Sequence, residues 1–240
     1  MPAERFESFG STHLMLLALF VVGAVAAVLL GRRLRDTAPA VATSRAAAAV
    51  LAVAALASQA LQLTPGRFDV HTSLPLQLCD LAWMSAVWAL WSHHRVPTAL
   101  TYFWGLTLTV QAVLTPSLDE TFPDPLFVAF WVVHLLTVWS ALYLTVGLGL
   151  GPRWREYAVT VAVTVTWAVL VFVFNDAVGV NYGYVNRKPA SASLLDLLGP
   201  WPAYVLLATA ILVAGWALMT WPWTRVGSRH AIRTPRRAGP

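Results

Sequence analysis

Apolar residues gather into seven stretches, at roughly 12–31, 45–63, 74–92, 98–114, 125–148, 158–175 and 201–221, each bounded by charge, proline or glycine. A helix needs about 20 apolar residues, rising 1.5 Å each, to cross the hydrocarbon of a bilayer, and these stretches have that length. The run AAAAVLAVAALA at 46–57 does not alternate with polar residues, as a strand of a membrane barrel must. The pattern therefore predicts an all-α polytopic membrane protein with seven transmembrane helices. Residues 1–221 form a single membrane domain, followed by a basic cytoplasmic tail, 222–240, expected to be disordered.

Composition agrees. Of 240 residues, 58% are hydrophobic and only 11% charged, too few charges to coat a water-facing surface. The 12 Trp and 10 Phe are equally foreign to a disordered chain. The first stretch is not a cleaved signal, because its N-terminal flank carries Glu4, Arg5 and Glu7 while the basic cluster Arg32, Arg33, Arg35 lies on its far side. If that cluster is cytoplasmic, twelve of the 16 Lys and Arg residues fall inside and four (Arg5, Arg67, Arg187, Lys188) outside. This predicts an outer N-terminus and an inner C-terminus. The pI of 9.9 reflects these loop arginines, whose expected partners are anionic lipid headgroups in the cell membrane and not nucleic acid. One Cys sets no disulfide framework, and the sequence sets no oligomeric state.

With this topology the intramembrane polar residues share a depth. Ser58, Gln59 and Gln62 end the second stretch; Gln77, Cys79 and Asp80 begin the third; Thr107, Thr109 and Gln111 end the fourth. His134 lies about ten residues into the fifth, and Asn175 and Asp176 end the sixth. All fall in the outer half, whereas 20–30, 46–57 and 138–150 hold almost nothing polar. Asp or His in hydrocarbon costs about 2.5 kcal/mol or more unless paired or hydrated. An outward-facing polar pocket within the bundle accounts for the pattern, although Gln and Thr taken singly also serve as interhelical hydrogen bonders.

Cys79 and His134 are the candidate catalytic residues, since a thiol and a base on facing helices are the minimum for acyl transfer through a thioester. They are expected to lie within hydrogen-bond reach or one water apart. Asp80, Gln77, Gln59 and Gln111 are candidate pocket residues. A metal site of His71, Cys79, Asp80 and His134 lacks the paired spacing of zinc ligands, so no metal or cofactor is expected. A second cluster, Asn181-Tyr182-Gly183-Tyr184, Arg187-Lys188-Pro189 and Ser193 to Asp196, precedes the seventh stretch. Ser193 with Asp196 has the spacing of a helix cap, which predicts a short interfacial helix at 194–198. The loop 176–200 is expected to be ordered and to cover the pocket, with Asn181 or Tyr182 near Cys79 or His134. Lys188 is placed to hold a lipid phosphate, and Asp196 lies on the same rim.

Two segments carry a family resemblance: Leu74-Pro75-Leu76-Gln77-Leu78-Cys79, and Asn181-Tyr182 through Lys188-Pro189 to Gly199-Pro200-Trp201-Pro202 with Tyr204. With these the chain resembles the YwaF-like integral membrane proteins, which extend to a eukaryotic transmembrane phospholipid acyltransferase. The resemblance implies a seven-helix membrane protein. From the eukaryotic relative it implies acyl transfer to ether phospholipids, with Cys79 as the catalytic cysteine and His134 as its histidine. Two function classes follow: a Cys-dependent lipid acyltransferase, or a non-enzymatic lipid or small-molecule binder or transporter. The apolar inner halves and the lack of an inverted repeat weigh against transport.

Overall fold

The computed structural model describes residues 6–116, 118, 120–189 and 194–231. Among them every regular element is helical. The helices are α1 (Ser11–Leu34), α2 (Pro39–Gln62), α3 (Leu78–Ser92), α4 (Arg95–Trp104), α5 (Val110–Leu114), α6 (Pro125–Leu142), α7 (Trp154–Val178) and α8 (Ala203–Ala231). A π-helical turn, Gly105–Thr109, joins α4 to α5 without a break, and a second, Tyr143–Gly147, extends α6.

Five of these segments are long and apolar enough to cross a membrane: α1, α2, Pro125–Gly147, α7 and Ala203–Arg225. They differ in what they face. The apolar window of α1 is only 6% buried, whereas that of Pro125–Gly147 is 44% buried. α1, α7 and α8 thus present aliphatic side chains outward, and α6 runs through the interior with α3 and α4 against it. The 15 residues of α3 span only about 22 Å at helical rise. Every residue of α4 from Pro97 to Trp104 is buried. A helix buried all round needs no amphipathic stripe, which is why the fourth apolar stretch reads like a membrane span.

Buried hydroxyls are satisfied within their own helices. Thr98, Thr101, Thr137, Ser140 and Thr145 each donate to the carbonyl four residues back, at 2.6–2.8 Å.

The loops gather at two ends. One end carries 35–38, 93–94 and 148–153 and most of the described arginines; the other, the capped end, carries 63–77, 120–124, 179–189 and 194–202. At the arginine end α1 packs backbone to backbone on α6: a Cβ on Gly31 would lie 2.6 Å from Gly147 Cα, so only glycine fits. Arg35 closes that junction by donating to the Gly147 carbonyl at 2.6 Å from Nη2 and 3.1 Å from Nε. At the capped end His13 is fully buried; Nδ1 accepts from the Phe9 amide at 2.8 Å and Nε2 donates to the Val113 carbonyl at 3.0 Å. It fastens α1 to α5. α8 continues beyond residue 221 to Ala231, so the start of the basic segment is helical.

Candidate functional site

The capped end is closed by a hydrogen-bonded knot built from the loop after α7. Asn175, fully buried in the last turn of α7, receives the Tyr182 amide on Oδ1 at 2.9 Å. Its Nδ2 donates to the Tyr182 carbonyl at 2.9 Å and to Asn186 Oδ1 at 2.8 Å. The side chain thereby folds the chain back on itself just past the helix-ending Gly179, whose φ is +79. Tyr182, 0% exposed, reaches across to the α2–α3 loop. Its hydroxyl donates to the Val70 carbonyl at 2.7 Å and accepts from the Leu74 amide at 3.0 Å. Burial raises its pKa above the ordinary tyrosine value, and the nearby Asp69 and Asp80 carboxylates add to the shift.

Gly183 completes the joint. Its amide donates to Gln77 Oε1 at 3.0 Å, and its φ of +65 and the Trp167 ring, 2.3 Å from where a Cβ would stand, exclude any side chain. Trp167 in turn donates from Nε1 to the Leu76 carbonyl at 3.0 Å. Segment 181–187 is thus docked on 70–77, directly over the start of α3.

Gln77 precedes the first turn of α3, and its amide donates to Asp80 Oδ2 at 2.9 Å. The Asp80 carboxylate therefore serves the helix start, where negative charge is favourable. Cys79 lies between them, partly buried and in no disulfide, and its thiol makes no hydrogen bond to another side chain among the described residues. On α6, His134 is buried; its ring stacks on Phe130 at 4.0 Å between centroids, with Nδ1 2.7 Å from the Phe130 carbonyl oxygen. A carbonyl only accepts, so Nδ1 carries the proton and Nε2 of the neutral ring keeps its lone pair.

No hydrogen bond joins the Cys79 thiol to the His134 ring among the described residues. Their relative level follows from a shared contact at the other end. Ser44 Oγ meets both His93 Nε2 at 2.8 Å, just past α3, and the Tyr143 hydroxyl at 3.1 Å, just past α6. Counted from there, Cys79 lies about 21 Å and His134 about 13 Å along their helices. Both helices run from the capped end, so both side chains tilt the same way and an offset of about 8 Å along the bundle remains. Ala86 of α3 and Val133 of α6 share one core cluster, with Trp83 packed against it.

The other candidates divide. Gln59 donates from Nε2 to the Ser73 carbonyl at 2.7 Å and so holds the α2–α3 loop. Asn181 exchanges hydrogen bonds with the Arg187 backbone, at 2.8 Å from its amide nitrogen and 3.2 Å to its oxygen. Gln111 is exposed and joins none of these groups. Lys188 pairs with Asp196 at 3.6 Å and lies 5.6 Å from the centre of the Tyr204 ring. Leu194–Leu198 form a short 3-10 helix; Ser193, its expected cap, lies outside the described residues.

An apolar recess of about 350 Å³ opens beside this end, lined by Leu74, Pro75, Leu76, Leu170, Val171 and Phe174. Residues 8–220 match the sequence model of the TMEM164 family. The chain belongs to that family. No curated protein and no solved structure matches it. As a TMEM164 family member with five helices able to span the bilayer, it is a multi-pass membrane protein.

Three residues important to this end escape sequence reasoning. Asn186 and Trp167 complete the joint, yet nothing marks them off from an ordinary polar loop and an ordinary aromatic belt. Trp131, 2% exposed, is the one buried side-chain nitrogen left without a partner among the described residues. It sits among Phe127, Phe130 and His13.

Proposed function

We propose that this TMEM164 family member is a lipid acyltransferase that carries the acyl group on Cys79 as a thioester, with His134 as the general base. The condition of the two side chains carries this reading: Cys79 has a free thiol that no other side chain among the described residues engages, and His134 has a ring held by Nδ1 so that Nε2 is an acceptor. The resemblance to a eukaryotic transmembrane phospholipid acyltransferase supports the same assignment. The apolar recess beside Leu74 and Phe174 supports lateral entry of an acyl chain from the bilayer.

In this scheme His134 Nε2 takes the thiol proton as Sγ attacks the ester carbonyl of a donor lipid. The tetrahedral adduct collapses, the acyl carbon–oxygen bond breaks, and His134 returns the proton to the departing lipid oxygen. A hydroxyl on an acceptor lipid then loses its proton to His134 and attacks the thioester, restoring the thiol. Because the donors of Asn181 and Tyr182 are engaged with backbone carbonyls, they serve to hold the cover over α3.

The same proposal includes seven spans with the N-terminus outside. α3 and the continuous helix 95–114, both packed against α6, are the two further spans, and the twelve-to-four division of Lys and Arg supports the orientation. Reporter fusions after Arg45, Arg95, Arg155 and Arg225 should all read as cytoplasmic, and an outside signal at any two of them overturns the topology.

A second reading, a lipid binder without chemistry, is favoured by the engagement of Gln59, Gln77, Asn181 and Tyr182 with backbone groups. Acyl exchange between phospholipids in reconstituted vesicles separates the two. Exchange that disappears in Cys79→Ala and falls strongly in His134→Gln supports the enzyme; lipid binding without exchange supports the binder.

A further inference from the structure

We propose that a flank of α1 holds an anionic phospholipid at the arginine end, with Arg32 on its phosphate and its acyl chain lying along Ala24 and Val28. α1 is pinned to α6 at two glycines. Gly23 lies under the Trp139 ring, which would stand 2.1 Å from a Cβ there, and Gly31 lies against Gly147. Trp139 also donates from Nε1 to the Phe20 carbonyl at 3.0 Å, fixing the upper contact. Between these contacts the small Ala24 does not fill the space beside Leu142. An open-sided recess of about 330 Å³ results, lined by Ala24, Val25, Val28, Leu29, Arg32 and Leu142.

The occupant follows from the walls. α1 is the least buried of the five long helices, so its surroundings are lipid chains. An apolar recess offers water no hydrogen bonds but suits a chain. From Ala24 to Arg32 the recess runs about 12 Å along the helix and ends at a guanidinium. Arg32 makes no hydrogen bond or ion pair among the described residues, whereas Arg35, one turn on, is committed to the Gly147 carbonyl. A free guanidinium at the end of an apolar groove is complementary to a phosphate whose chain points back into the bilayer. This site lies at the opposite end of the bundle from Cys79 and does not depend on its chemistry.

Native mass spectrometry of the full chain, released from mixed phosphatidylglycerol and phosphatidylcholine nanodiscs, tests it. The wild type should retain one phosphatidylglycerol in preference to phosphatidylcholine. Arg32→Gln should weaken that preference about fivefold. Ala24→Phe, which fills the recess, should remove the retained lipid of either kind. Arg33→Gln, outside the recess, is the control and should change little. Equal retention of the two lipids by the wild type, loss by Arg33→Gln as large as by Arg32→Gln, or retention unchanged in both Arg32→Gln and Ala24→Phe overturns the proposal. Unaltered thermal unfolding of each variant assigns any loss to the site and not to the fold.

Discussion

The Asn175–Tyr182 knot and the two candidate catalytic side chains, Cys79 beneath it and His134 farther along α6, draw on the same kinds of polar group, but their hydrogen-bonding states differ. In the knot every donor and acceptor discussed above has a partner, most of them backbone groups. No other side chain among the described residues bonds the Cys79 thiol, and the His134 imidazole is fixed through one nitrogen only. A buried polar group whose capacity is used is architecture, because moving it strands its partners at about 1–3 kcal/mol each. A group with capacity left over is available to a substrate. Polar residues at one depth in a membrane protein are therefore not one site; their partners sort them.

Substitutions can break that contrast. The largest loss of stability should come from Asn175→Leu, which leaves both the Tyr182 amide and carbonyl unpaired in the interior. We expect about 3 kcal/mol or more, read as a lowered unfolding midpoint in detergent, together with release of segment 181–187. Gly31→Ala should cost about 2 kcal/mol by driving α1 off the π-helical turn, without touching the pair; a size-exclusion thermal melt reads it. Tyr182→Phe removes the hydroxyl bridging Val70 and Leu74 and should cost about 1–2 kcal/mol. It also carries a sign in pH. A phenol whose pKa is raised on folding contributes stability fully below its unfolded value and loses it as pH rises through the folded value. The wild type should lose this contribution as the solution becomes alkaline beyond the ordinary tyrosine range, and Tyr182→Phe should flatten that loss.

The smallest effect should come from the arginine end, where His93, Ser44 and Tyr143 form another bonded group. Burial, then the nearby Arg45, lowers the His93 pKa. Its contribution is present above the unfolded histidine value and lost as pH falls through the lower folded one. The melt of His93→Gln should therefore be flatter than that of the wild type below about pH 6.5, by under about 1 kcal/mol.

That the chain is helical and crosses the membrane several times could be read from the sequence, because it follows from what hydrocarbon tolerates. The partners of the polar residues could not. Gln59 and Gln77 look alike in sequence; only the path of the loop 63–77 shows that one holds Ser73 and the other receives Gly183. His93 reads as a solvated loop residue beside Arg95, yet it is half-buried on Ser44, a partner 49 positions away. The third stretch reads as helix from 74, but 74–77 bend and α3 begins at Leu78; Trp167 takes up the Leu76 carbonyl that a helix would have used. Long-range partners decide each case, and periodicity carries no record of them.

Cys79 as the acyl carrier is the claim on which the functional account turns. The full chain, reconstituted with a phospholipid bearing an isotopically labelled acyl chain and quenched in acid, can be digested and examined by mass spectrometry. The account predicts a labelled acyl adduct on the peptide containing Cys79, released by neutral hydroxylamine, absent in Cys79→Ala and strongly reduced in His134→Gln. Lipid exchange that proceeds with no adduct on Cys79, or persists undiminished in Cys79→Ala, would contradict it.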